Sequence, residues 1–139
     1  VRGVTVIDDF AHHPTAVTQT IDAIRRAYPD NRLVAVFEPR TNTSLRKVFQ
    51  KDYAAAFDQA DVTYIRQAAD LNKAPEGDRF SSEQLVEDLT RRGLTARHFV
   101  NTDDLLAALL QYLCPGDVVL IMSNGGFDRL HQRLLDGLA

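Results

Sequence analysis

The sequence predicts an α/β domain: a Rossmann-like, three-layer αβα arrangement around a mostly parallel sheet of about five or six strands. Three observations carry that expectation. Along the 139 residues the hydrophobic period alternates between strand and helix five times, the βα repeat from which parallel sheets are built. Two candidate strands, Leu33-Val34-Ala35-Val36-Phe37 and Val118-Val119-Leu120-Ile121-Met122, are apolar at every position, as strands covered by helices on both faces must be. No Gly/Ser/Pro-rich run divides the chain, so a single domain over residues 1–139 is expected, and a hydrophobic content of 45% suffices to bury its core.

Each element has a local reason. Val4-Thr5-Val6-Ile7 is a run of β-branched residues suited to a buried strand. Pro14, with no N–H and a preset φ, then fits the first turn of a helix over Thr15 to Tyr28, where Val17, Ile21 and Ile24 fall at helical spacing before the stop Pro29-Asp30-Asn31. The second strand opens into the loop Glu38-Pro39-Arg40-Thr41-Asn42-Thr43. A second helix is expected from about Ser44 to Phe57, with Leu45, Val48, Phe49, Tyr53 and Ala56 inward. Val62-Thr63-Tyr64-Ile65 reads as the third strand. The polar stretch Arg66 to Phe80, with Pro75, Glu76, Gly77 and Asp78, reads as a long surface loop whose Asp70, Asn72 and Lys73 form no recognisable constellation.

Ser81-Ser82-Glu83-Gln84 matches a capping box for a helix burying Leu85, Val86 and Leu89 and closing at Arg91-Arg92-Gly93. Ala96, His98 and Val100 alternate in a short fourth strand, with His98 expected as an exposed edge residue. Thr102-Asp103-Asp104 is expected to cap a helix carrying Leu105, Leu106, Leu109, Leu110 and Leu113, its carboxylates complementing the dipole. After the turn Pro115-Gly116-Asp117 and the fifth strand, a last helix buries Phe127, Leu130 and Leu134, with His131 and Arg133 facing solvent.

Composition narrows the function classes. A formal net charge of -3 argues against a nucleic-acid partner and against an anionic membrane surface. Cys114 is the only cysteine, so no internal disulfide forms and a reducing cytoplasm is the expected compartment. The sequence holds no apolar span of membrane length, and no signal peptide is expected. The chain begins at Val1, about to enter a strand, and on that ground an excised domain is expected.

Polar residues capable of chemistry concentrate between the first strand and first helix: Asp8, Asp9, His12 and His13. In open parallel sheets, ligands bind just past the carboxyl ends of strands and at helix N-termini. Asp8 can simply end the strand, and His13 can cap the helix or lie on the surface. Asp9 can accept hydrogen bonds from two vicinal ribose hydroxyls, and His12 can donate toward phosphate or substrate oxygens. A metal site is the third reading, disfavoured because no Cys or His cluster completes a tetrahedral set and hard cations demand more oxygens; no metal ligand is assigned. The Asp9 loop, the Arg40 loop and Ser123-Asn124-Gly125-Gly126 are expected to converge at one sheet edge. Gly125-Gly126 could cradle a phosphate or simply make a tight turn. The chain has no Gly-x-x-x-x-Gly-Lys-Ser/Thr, so any ATP must be held mainly by protein outside these residues. No nucleophile elbow supports a hydrolase.

Three motifs in order, Asp8-Asp9-Phe10-Ala11-His12-His13-Pro14-Thr15-Ala16, Phe37-Glu38-Pro39-Arg40-Thr41-Asn42-Thr43 and Met122-Ser123-Asn124-Gly125-Gly126-Phe127, resemble the C-terminal domain of the bacterial Mur ligases over essentially the whole chain. Within that family they are most similar to the branch that joins the murein tripeptide L-alanyl-γ-D-glutamyl-meso-diaminopimelate to UDP-N-acetylmuramate in peptidoglycan recycling. The resemblance implies ATP-dependent amide synthesis through an acyl phosphate. ATP and Mg2+ would be held mainly by a central domain, with a UDP-sugar domain before it, and this chain would be the mobile third domain. It further implies that Asp9 contacts the ATP ribose, that His12 is a catalytic residue beside nucleotide and acceptor, and that Arg40, Asn42 and Asn124 hold the peptide. Relatives that add free L-alanine carry Tyr where this chain has Phe10. The rival reading is a stand-alone receiver-like or nucleotide-binding regulatory domain, which would need an Asp ending the third strand and a Lys after the fifth; Tyr64-Ile65-Arg66 and Ser123-Asn124-Gly125 stand there instead.

Overall fold

Five strands and five helices alternate in the computed structural model, which describes residues 2–39, 49–67, 81–123 and 125–139. Strand β1 (Thr5–Asp9) leads to helix α1 (Pro14–Ala27), β2 (Leu33–Phe37), α2 (Gln50–Ala56) and β3 (Val62–Arg66). Helix α3 (Ser82–Arg91), β4 (Thr95–Phe99), α4 (Thr102–Tyr112), β5 (Val118–Met122), the short turn Phe127–Arg129 and α5 (Leu130–Leu138) follow. All pairings are parallel and the order across the sheet is β1-β5-β2-β3-β4. The expected start of the second helix near Ser44, most of the Arg66–Phe80 stretch, Arg40, Asn42 and Asn124 lie outside the described residues.

Residue alternation makes the two layers. Leu33, Ala35 and Phe37 of β2, with Val118, Leu120 and Met122 of β5, pack beneath Val17 and Ile21 of α1, Tyr53 of α2 and Leu85 and Leu89 of α3. The intervening Val34, Val36, Val119 and Ile121 face the opposite way, against Leu105 and Leu109 of α4 and Leu130, Leu134 and Leu138 of α5. Because successive side chains point to opposite faces, a strand apolar at every position can feed two cores. The three-layer αβα sandwich is therefore the predicted one. Among the described residues, no helix is long and apolar enough to cross a membrane.

The chain visits β1, β2, β3 and β4 with helices on one face, then returns on the other face through α4 to insert β5 between β1 and β2. That insertion makes a topological switch: helix α1 leaves β1 on one side of the sheet, and α5 leaves β5 on the other, so a crevice opens between their ends.

Several local expectations need correction. The cap of α4 is Asn101, whose side chain accepts from the Asp104 N–H at 2.8 Å, not Thr102; Thr102 is buried and its hydroxyl is used elsewhere. His98 is half-buried rather than exposed, with its Nε2 enclosed and unpartnered among the described residues. Val100 falls outside β4 and is 64% exposed. Only half of the capping box forms: Ser81 Oγ accepts from Gln84 N–H, while Gln50 Oε1, from α2, takes the Ser81 N–H in place of the Gln84 side chain. Gln84 reaches instead to Asp88.

Candidate functional site

Parallel register places three strand ends side by side. Asp9 pairs with Met122, and Met122 with Phe37, so the residues that follow each strand emerge at a common edge. Backbone bonds extend the pairing one step further, Ser123 N–H to the Asp9 carbonyl and Glu38 N–H to the Met122 carbonyl, both at 3.1 Å. The described residues that follow the three strands thus converge at one edge, as expected.

At the β1/β5 switch lies a crevice of about 130 Å³ lined by Asp8, Asp9, Phe10, Ser123, Phe127 and His131, with the Gly125-Gly126 backbone among its walls. Phe10 stands at its lip, 77% exposed. Asp9 uses one carboxylate oxygen internally, Oδ1 accepting from the Ala11 N–H at 2.8 Å. This Asx-type bond turns the chain from strand to helix and fixes the carboxylate at the crevice wall. Asp8 is exposed beside it.

His12 is not among the residues lining the crevice. Its Nδ1 lies 2.8 Å from the Phe10 carbonyl oxygen. A carbonyl can only accept, so Nδ1 carries the proton, Nε2 is the acceptor of the neutral ring, and His12 can donate outward only as imidazolium. The buried Tyr53 hydroxyl donates to the His12 carbonyl and anchors the loop from α2. His13 is the N-cap of α1, its Nδ1 accepting from the Thr15 N–H at 3.3 Å, and its ring meets Phe49 edge-on. It caps the helix, one of the two roles the sequence left open.

The opposite wall is organised by a carboxylate that the sequence reading passed over. Glu38, the first residue beyond β2, is fully buried, and its Oε1 accepts from the Ser123 hydroxyl at 2.8 Å. Ser123 Oγ in turn accepts from Gly125 N–H at 3.1 Å, which commits one donor of the suspected phosphate cradle and favours the tight-turn reading. Arg66 approaches Glu38 at 3.6 Å. In the sequence Glu38 showed as a carboxylate set directly after a wholly apolar strand and as a member of the second motif, without a role of its own. His131 was also missed: expected in solvent, it is half-buried and lines the crevice. Its position three residues before the buried Leu134 places it beside the apolar stripe. Arg133, expected in solvent, is ion-paired with Asp103 at 2.5 Å.

Among the described residues no three His, Cys, Asp or Glu side chains stand together as metal ligands, so none is assigned to the Mg2+ that the resemblance implies.

Residues 1–125 match the family described as Mur ligase, glutamate ligase domain. The chain belongs to that family. It is 38% identical, over 99% of its length, to the UDP-N-acetylmuramate–L-alanyl-γ-D-glutamyl-meso-2,6-diaminoheptandioate ligase of Escherichia coli, and covers 28% of that protein. A UDP-N-acetylmuramate–L-alanine ligase of Sorangium cellulosum is likewise 38% identical, over 90% of this chain and 27% of its own. The crystal structure of a murein peptide ligase from Psychrobacter arcticus superimposes with a TM-score of 0.83 at 33% identity, covering 99% of this chain and 28% of that one. The Mur ligase domain described here therefore spans little more than a quarter of the relatives it matches. Its strand order separates it from a receiver, whose first strand lies inside the sheet; here β1 is an edge.

Proposed function

We propose that this chain is the C-terminal domain of a three-domain, ATP-dependent ligase that joins the murein tripeptide to UDP-N-acetylmuramate. The sugar's carboxylate takes the γ-phosphoryl group of ATP, giving an acyl phosphate and ADP. The alanyl amine then attacks the acyl carbon, phosphate leaves, and the lost amine proton completes the balance of one amide, one ADP and one phosphate. Asp9 offers its remaining carboxylate oxygen to the ribose, His12 stands between nucleotide and acceptor, and Arg40, Asn42 and Asn124 hold the peptide. A guanidinium suits that task because it pairs with carboxylates through two parallel hydrogen bonds. The phosphate loop and Mg2+ belong to the preceding central domain, and this domain closes over the site they make. The reading places the work in the cytoplasm, with no nucleic-acid or membrane partner.

One observation carries the reading: in a member of the Mur ligase family, the rung Asp9–Met122–Phe37 brings the three motif-bearing strand ends to one sheet edge, where the β1 and β5 ends line the crevice at the switch point. The equal identity to an L-alanine ligase makes the acceptor the quantity to measure. The test supplies the whole ligase with ATP, UDP-N-acetylmuramate and either tripeptide or L-alanine, and follows ADP release and product mass. Tripeptide product with far slower use of L-alanine is the expected result. Preferential L-alanine addition would replace the acceptor assignment, and no ADP release with either would remove the ligase reading.

A further inference from the structure

We propose that Glu38 is a positioning residue for the acceptor, pinning both ends of the turn that walls the crevice; this deepens the ligase reading above and rests on it. Glu38 is 0% exposed, and a buried carboxylate is tolerated only where partners replace the water it loses. At one end of the turn its Oε1 holds the Ser123 hydroxyl, which holds Gly125 N–H. On its other side lies Arg66, whose NH1 is 3.6 Å from Glu38 Oε2. Arg66 donates from Nε to Thr102 Oγ1 at 2.8 Å and reaches Asp128 Oδ2 at 3.2 Å, where the Thr102 hydroxyl also donates at 2.5 Å. Asp128 closes the far end of the same turn.

That turn needs support. Phe127, Asp128 and Arg129 have φ of 47°, 51° and 61°, three successive side-chain-bearing residues in the left-handed region, each held there at a cost. Ser123, Gly125, Gly126 and Phe127 line the crevice, so the network that holds this backbone shapes the wall a ligand meets. On the β1 side, Asp9 shares a backbone bond with Ser123, but its carboxylate is held by Ala11 N–H, and His12, outside the crevice lining, is held by Phe10 and Tyr53. On the proposed assignment of Asn124 to the acceptor and of Asp9 and His12 to the nucleotide, loosening Glu38 is expected to act on the acceptor more than on ATP.

The test uses the complete ligase with three variants. Ser123→Ala removes one arm, Glu38→Gln keeps a carbonyl for Ser123 but presents an uncharged group to Arg66, and Glu38→Leu removes both. Steady-state kinetics varying ATP and tripeptide separately are paired with amide hydrogen exchange over residues 125–129. Ser123→Ala and Glu38→Leu are expected to raise KM for tripeptide about ten-fold, with KM for ATP within about two-fold and faster exchange in the turn; Glu38→Gln falls between them and wild type. Should Glu38→Leu fail to fold, the other two decide. Unchanged tripeptide KM, or equal rises for both substrates, would overturn the proposal even if exchange quickens. Wild-type protein that makes no amide would instead remove the ligase reading, a failure visible in the control.

Discussion

Asp9 serves two purposes, and two substitutions separate them. Asp9→Asn keeps an oxygen for the Ala11 N–H but weakens the contact proposed for the ribose. In the full ligase it should raise KM for ATP more than KM for tripeptide, with thermal stability almost unchanged. Asp9→Ala also deletes the internal bond and should cost about 1 kcal/mol of stability by chemical denaturation. A large stability loss in Asp9→Asn with unaltered kinetics would make the carboxylate purely structural. Arg40, assigned to the acceptor, gives the complementary result: Arg40→Ala should lower kcat/KM for tripeptide by about 2–4 kcal/mol, the range for removing one partner of a desolvated charge pair. ATP parameters should move far less. Equal losses for both substrates, or none, would remove that assignment.

Among the elements, α3 is docked by a cap shared with its neighbour. Ser81 satisfies Gln84 N–H, while Gln50 both accepts from Ser81 N–H and donates to the Ser81 carbonyl at 2.9 Å. Ser81→Ala should destabilise by about 1 kcal/mol, and Gln50→Ala, which leaves the cap residue intact, should still cost a measurable fraction of that. Additivity of the two in a double variant would mean that the caps act independently; shared bonds at one residue predict coupling. The turn before α5 gives the opposite sign. Arg129 is exposed with φ of 61°, so Arg129→Gly relieves left-handed strain and should stabilise by about 0.5–1 kcal/mol in urea unfolding. Destabilisation there would show that the arginine side chain supports the turn.

At the scale of the whole molecule, the proposed division of labour has this fold present residues to a triphosphate held mainly by another domain. The chain lacks the Gly-x-x-x-x-Gly-Lys-Ser/Thr loop, and one carboxylate-to-ribose contact contributes only about 1–3 kcal/mol. These 139 residues alone should therefore show no ligase turnover and at most weak ATP binding by calorimetry. Micromolar affinity, equivalent to about 8 kcal/mol, would contradict the division of labour between this domain and the central one.

The layered fold was legible because its determinants are local and periodic. Leu33–Phe37 and Val118–Met122 can be stable only between two helical layers, and Pro14 starts α1 by its own chemistry; three spaced motifs placed the chain in its family. Strand order was not legible. The return through α4 that inserts β5 between β1 and β2 is a choice among pairings that similar apolar strands would all satisfy. The site divided along the same line. Asp9 stood out because it lies just past a β-branched strand and before a helix N-terminus, where ligands bind in open parallel sheets. Glu38, His131 and Arg66 did not, since each acquires its setting from residues distant in sequence: Glu38 from Ser123, Arg66 from Thr102 and Asp128, His131 from the crevice wall. Periodicity assigns a side chain to a face, but only the packed sheet decides which buried charge meets which partner.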